Sequence, residues 1–481
     1  MRKPRLVVPV TLHFTVRYLL RTGLLQRVAE YATPVVALAW SDPDLERELV
    51  SAGCEVHTLP GVRRGPEYRR LRGELNVWHF RRVASPSGAI DERRANLSRT
   101  PRERVARDVR KAAYRLKLAL PGGTRRLLQR ESETLWRDTN VREFATLLET
   151  LQAEAVFSVT PFLPEEELLL RAASAASIPR STAILSFDNI TTRGWIPVTF
   201  DQYLVWNAYN AAELARAYPE ARSADVRVVG APQFDFYWDS SYRWERSRWR
   251  AEVGLTDDRP IILYGGGAQS IVPHEPLFVQ HIDDAIERRE LPGRPVVLFR
   301  RHPIDPPDRW ADLRRRARNV VFDEPWAAAG AGGHLNIRRY DIERLASTLH
   351  YCDVHASVSS TMTVDGAIFD RPQVGPAYDD RPGSRYHRAM GDLYLREHYL
   401  PITKSGGIDV AHSRSALIAA LRAALEQPDR QVDGRRAMVG EICTYADGQG
   451  TARVNAALRA FVMGRERSSE PVAKRATGDA A

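Results

Sequence analysis

Asp353-Val354-His355-Ala356-Ser357-Val358-Ser359-Ser360-Thr361-Met362-Thr363-Val364-Asp365-Gly366-Ala367-Ile368-Phe369-Asp370-Arg371-Pro372 holds a short strand (354–357), a run of hydroxyls and a helix start, and Pro372 introduces the next strand. The first amides of a helix lack internal partners, and the helix dipole is positive at that end. Ser359, Ser360 and Thr361 beside those amides make a place for a phosphate. Asp365, one turn on, is placed to accept hydrogen bonds from ribose hydroxyls. An ordinary helix cap and an exposed helix acid use the same residue types, so the surrounding sequence must arbitrate.

The rest of the second half follows the same grammar. An apolar strand at 260–264 runs into Gly265-Gly266-Gly267, and another at 296–299 runs into Arg300-Arg301-His302-Pro303. A third is expected at 320–322. In the first half, strands are expected at 6–10, 35–39, 55–59, 155–159, 182–186, 203–206 and 227–229. Helices are expected over 16–31 and 165–176, the second opened by Pro164. Short apolar runs alternating with helices build parallel sheets. The fold class read here is α/β, with two Rossmann-like doubly wound domains in tandem. Their bounds are 1–238 and 239–412, followed by closing helices over 413–463 and a disordered tail over 464–481.

A basic helical insertion, about 61–150, interrupts the first domain. Residues 61–130 hold 20 Lys and Arg against 6 Asp and Glu, a net of +14 in a chain whose total is +10. Val105, Val109, Ala112, Ala113, Leu116 and Leu120 recur at helical spacing, with Arg and Lys on the opposite face. Such a helix either is an ordinary solvated insertion or lies on an anionic membrane surface. No recognition module or aromatic stacking pattern accompanies the charge, so nucleic acid is not expected as a partner.

With 481 residues, 43% of them hydrophobic, the chain is long enough for two buried cores. Cys54, Cys352 and Cys443 are far apart and lack CxxC spacing, against a disulfide framework or a structural zinc site. The basic N-terminus and apolar 6–10 have the outline of a signal peptide. However, His13 and Arg17 interrupt the pattern and no small-residue cleavage site follows. No window reaches transmembrane length. The expected location is the cytoplasm, peripheral at the inner face of the membrane.

Ligands of open α/β sheets bind at the carboxyl ends of strands, and three candidate groups sit at such ends in the second half. Gly265, Gly266 and Gly267 would let backbone approach a ligand, although they match neither GxGxxG nor a P-loop. Arg301 and His302 would hold a diphosphate by charge-assisted hydrogen bonds. Ser359, Ser360, Thr361 and Asp365 complete the set. In the first half, His13 and Asp188 follow strands and are the candidate general bases. No metal site and no cofactor are expected.

Together these features resemble the GT-B glycosyltransferase superfamily, and most nearly its bacterial surface-polysaccharide transferases, including the CDP-glycerol glycerophosphotransferase type. The resemblance rests also on residues 17–25, on 187–195 followed by 203–207 and 230–235, and on 447–454. It implies that the second half binds a nucleotide-activated donor and the first half an acceptor. His302 and Ser359 to Thr361 would contact the donor's phosphates, and Asp365 would take the ribose position, where the family often has Glu. Arg301 stands where the family often has Lys. The expected function is glycosyl transfer from a nucleotide-sugar to a cell-envelope glycan or lipid-linked acceptor, without a divalent metal. Alternatives on the same scaffold are polyol-phosphate transfer from a CDP-alcohol, a sugar-nucleotide 2-epimerase and a non-catalytic scaffold.

Overall fold

Two parallel sheets organise the computed structural model, which describes residues 2–303, 305–324 and 336–466. The first sheet holds β1 (Arg5–Val10), β2 (Thr33–Leu38), β3 (Glu55–Thr58), β4 (Ala155–Ser158), β5 (Arg180–Ala183), β6 (Gln202–Val205) and β7 (Asp225–Val228), in the order β3-β2-β1-β4-β5-β6-β7. The second holds β8 (Ile261–Gly265), β9 (Val296–Arg300), β10 (Val320–Asp323), β11 (Val354–Ser357), β12 (Gln373–Pro376) and β13 (Ile408–Ala411), in the order β10-β9-β8-β11-β12-β13. Central strands such as β8 are buried along their whole length, as sheets covered by helices on both faces require. The order reverses at β1 and at β8. Open sheets bind ligands at these switch points.

The helix expected over 16–31 forms in three pieces: an α-helix His13–Val16, a turn of π-helix Arg17–Arg21 and an α-helix Leu24–Ala29. Gly23 breaks it with φ +74°, a left-handed conformation that side chains disfavour. The closing helices expected over 413–463 are Arg414–Glu426, Val432–Cys443 and Gly450–Glu466. Asp235 caps the third one from afar, accepting from the amides of Gly450 (2.9 Å) and Thr451 (2.6 Å). Two stretches that carried the family resemblance therefore touch. Val454, Leu458 and Phe461 of this last described helix pack into the first domain's core with Leu6 and Val8. The tail expected to be disordered falls, from 467 on, outside the described residues.

The insertion leaves and rejoins the first domain at one neck, where the Gly65 amide donates to the Asp138 carbonyl at 2.6 Å. It consists of helices Pro66–Val83, Pro86–Leu97, Pro101–Ala119 and Gly123–Asp138. Pro86–Leu97 reaches the second domain: Arg94 donates to the carbonyls of Ile271 and Ala389, Asp91 pairs with Arg396, and Arg93 with Asp392. All three cysteines are buried and unpaired. No helix among the described residues is long and apolar enough to cross a membrane.

Candidate functional site

Strand register assembles the donor-side motifs. Ser357 pairs with Gly265, Gly265 with Arg300, and Arg300 with Asp323, one level row across four strand ends. Gly267, His302 and Ser359 each lie two residues beyond that row. Three motifs separated by up to 92 residues in sequence thus emerge side by side at the switch point.

The glycines prove to be packing residues as much as a cradle. A Cβ on Gly265 would meet Met362 Sδ at 3.1 Å, and one on Gly266 would meet the Arg300 carbonyl at 3.3 Å. The Gly266 amide donates to that carbonyl at 2.8 Å. The Gly267 amide donates to Glu275, 2.8 Å from Oε2. Glu275 is fully buried, and burial pushes its carboxyl up to about 8 against the opposing pull of Arg309. Arg309 also holds Asp305 at 2.7 Å and the Gly267 carbonyl at 2.9 Å. The Gly266 and Gly267 amides are therefore engaged within the protein.

Burial lowers the His302 imidazole below its ordinary range, with Asp305 opposing and Arg301 and Arg309 assisting. Arg301 is tied to Glu324 at 2.7 Å and to the Asp305 carbonyl. Ser359 sits at φ +40°, its hydroxyl donating to the Leu393 carbonyl at 3.0 Å and its amide to the Tyr394 hydroxyl at 3.2 Å. Ser360 Oγ accepts from the Met362 amide at 3.2 Å, and Thr361 is exposed at the start of the short Met362–Ile368 helix.

Asp365 is neither exposed nor open. It is buried, accepts from the Tyr237 hydroxyl and lies 4.0 Å from Arg17 of the π-turn. Burial raises its carboxyl and Arg17 opposes. The Arg17 guanidinium also donates to the Gln233 carbonyl at 2.8 Å and lies 4.6 Å from the Phe236 ring centroid. The expected ribose ligand thus joins the two domains in this structure.

His13 and Asp188, the two candidate bases of the first domain, follow different strands. The His13 ring lies against Trp40, centroids 5.0 Å apart, at the end of β1. Asp188 follows β5, which β4 separates from β1. It accepts from Asn189 and faces His398 of the second domain, whose imidazole burial lowers and Asp188 raises. Beside it opens a cavity of about 390 Å³ lined by Phe187, Asn210, Glu213, His398 and Lys404.

Two groups were not legible in the sequence. Glu166, fully buried behind β1 and β4, accepts from Thr11, Ser158 and Thr160, and burial pushes its carboxyl up to about 7. His274 lies in the loop after the glycines, its Nδ1 2.6 Å from Asp379 Oδ2. Arg381 donates to its Nε2 at 2.6 Å. An arginine only donates, so Nε2 is the unprotonated nitrogen and Nδ1–H points at Asp379. Burial opposes ionisation of Asp379, but hydrogen bonds from His274 and Ser384 hold its carboxyl below the usual range. The dyad joins the loop after β8 to the loop after β12, the strands on either side of β11. Among the described residues no cluster of His, Cys, Asp and Glu has the arrangement of a metal site.

Two tandem doubly wound domains, a last helix returning to the first and motifs at facing strand ends define a GT-B fold. Solved structures share it. A UDP-N-acetylglucosamine 2-epimerase from Rickettsia bellii has TM-score 0.54 and 10% identity over 97% of this chain and 99% of its own. A UDP-GlcNAc 2-epimerase from Neisseria meningitidis, bound to UDP-GlcNAc, has TM-score 0.53 and 11% identity over 94% and 99%. A glycosyltransferase from Rickettsia africae has TM-score 0.50 and 10% identity over 96% and 99%. At such identities the likeness is one of fold. No curated protein matches the sequence. The family model described as CDP-glycerol:poly(glycerophosphate) glycerophosphotransferase matches residues 196–459. The chain belongs to that family of transferases.

Proposed function

We propose that this protein transfers a phospho-polyol group from a CDP-activated alcohol to a hydroxyl of a cell-envelope polymer or lipid-linked acceptor, at the cytoplasmic face of the membrane. The observation that carries this reading is the family match over residues 196–459, which spans the whole donor-side sheet and reaches into the Gly450–Glu466 helix. The acceptor oxygen attacks the distal phosphorus. A new P–O bond forms, the bond to the cytidine-bearing phosphate breaks, the hydroxyl proton goes to a base, and CMP leaves. His302 and the Ser359–Thr361 turn would hold the diphosphate. His274, held by Asp379, is the base whose neighbours prepare it best. Its lone pair is covered by Arg381, a half-exposed side chain that a diphosphate would attract.

Glycosyl transfer, the first expectation from sequence, is the second reading, and the GT-B fold accommodates it equally. There the attack is at the anomeric carbon and a nucleoside diphosphate leaves. The nucleotide product separates the two. CMP released from a CDP-alcohol in an acceptor-dependent reaction supports the first. Nucleoside diphosphate released from a sugar donor, with CDP-alcohols inert, replaces it with the second. Release of neither, with every donor tested on folded protein and envelope acceptor, removes both.

A further inference from the structure

The Pro101–Ala119 helix has no buried residue. Its apolar residues are turned outward: Val105 and Val109 are 64% exposed, Leu116 69% and Leu120, just past its end, 52%. Ala112 and Ala113 fill the stripe between them and are also exposed. The opposite face fastens the helix to the protein. Leu118 packs on the first domain's core, Lys111 and Arg107 pair with Glu92, and Lys117 pairs with Glu74. This inverts an ordinary insertion helix, whose apolar stripe faces the body.

We propose that this stripe is a membrane-docking face that lies in the headgroup region of an anionic bilayer. It does not depend on which group the enzyme transfers. Three observations choose the occupant. First, the stripe is bordered by cations: Arg102, Arg110 and Arg115 on this helix, and Arg125 and Arg126 on the next, are exposed and make no ion pair among the described residues. The two acids of the helix are engaged, Asp108 with Arg107 and Glu103 in the capping box with Thr100. Second, the net charge of +14 over 61–130, against −4 for the rest of the chain, would repel a second copy of the same face. Third, a nucleic acid would leave an aliphatic stripe in water, whereas a bilayer takes up the stripe and its flanking cations together. The neighbouring Pro86–Leu97 helix, with Arg94 on the Ile271 and Ala389 carbonyls, ties this face to the second domain. Docking would therefore hold the cleft near lipid-linked molecules.

The test uses the full chain in a flotation assay with vesicles of phosphatidylcholine alone or mixed with phosphatidylglycerol, at physiological salt. At least tenfold tighter binding to the anionic vesicles is expected. The neutral variant Val109→Ser/Leu116→Ser should lose at least tenfold of it, and Arg110→Gln/Arg115→Gln a comparable amount. Because all four residues are exposed, melting temperature and the thermal shift given by a cytidine nucleotide should not change. A lost nucleotide shift with vesicle binding intact would count against the proposed function and leave this inference standing. No binding to anionic vesicles overturns the inference, as does equal binding by Val109→Ser/Leu116→Ser. So does a dimer in sedimentation equilibrium that Val109→Ser/Leu116→Ser dissociates, or duplex DNA binding without vesicle binding.

Discussion

His274 has its tautomer set by its neighbours: Nδ1–H toward Asp379 and an unprotonated Nε2 under Arg381. Loss of a general base costs roughly 10²–10⁴ in rate. His274→Ala should therefore lower kcat by about that factor, with little change in donor KM. Asp379→Asn, which leaves the imidazole in place, should keep part of the activity. Unchanged kcat in His274→Ala, with the loss appearing instead in His13→Ala or Asp188→Asn, would return the role to the first domain. At this scale the sequence was legible where a motif sits at a strand end, as with His302 and Ser359. It was not legible for His274, whose partner lies 105 residues away, or for Asp365, whose burial depends on Tyr237 and Arg17 from other elements.

The glycine loop after β8 shows how an element can be located from sequence while its internal hydrogen bonds cannot. Its place at the switch point follows from the apolar run that precedes it. That Gly267 donates to Glu275 follows only from the loop folding back on itself. The 16–31 helix failed for a related reason, since helical spacing of apolar residues does not register one left-handed glycine. Glu275 gives the loop a pH signature. Its carboxyl is held at about 8 in the folded protein against 4.5 for the free group, so the folded chain keeps a proton that the unfolded chain releases between these values. The stabilisation is fully present below about 4.5, and it is lost as pH rises through 8. The melting temperature should fall over that window, and Glu275→Gln, neutral at every pH, should fall less. Identical slopes in both proteins would show that Glu275 is ionised throughout.

For the whole molecule, the tandem domains were readable from repeated βα grammar, and their junction was not, because its polar and aromatic contacts join residues far apart in sequence. Arg17, Tyr237 and Asp365 form the core of that junction, one carboxylate shared between a π-turn of the first domain and a helix of the second. Both charged side chains are mostly buried, at 16% and 7% exposed, so solvent screens them less than a surface pair. A double-mutant cycle with Arg17→Met and Asp365→Asn, read by urea unfolding, should give a coupling of about 0.5–3 kcal/mol, the range for residues in one network. Asp365 is also the residue expected at the donor ribose, and it cannot serve both partners at full strength. If the ribose competes with Arg17, Arg17→Met should tighten donor binding while Asp365→Asn weakens it, since linkage between the two contacts is reciprocal. Coupling near zero, with donor affinity falling only in Asp365→Asn, would make Asp365 a donor ligand and nothing more. Coupling with donor affinity unchanged in both variants would make it a domain latch alone.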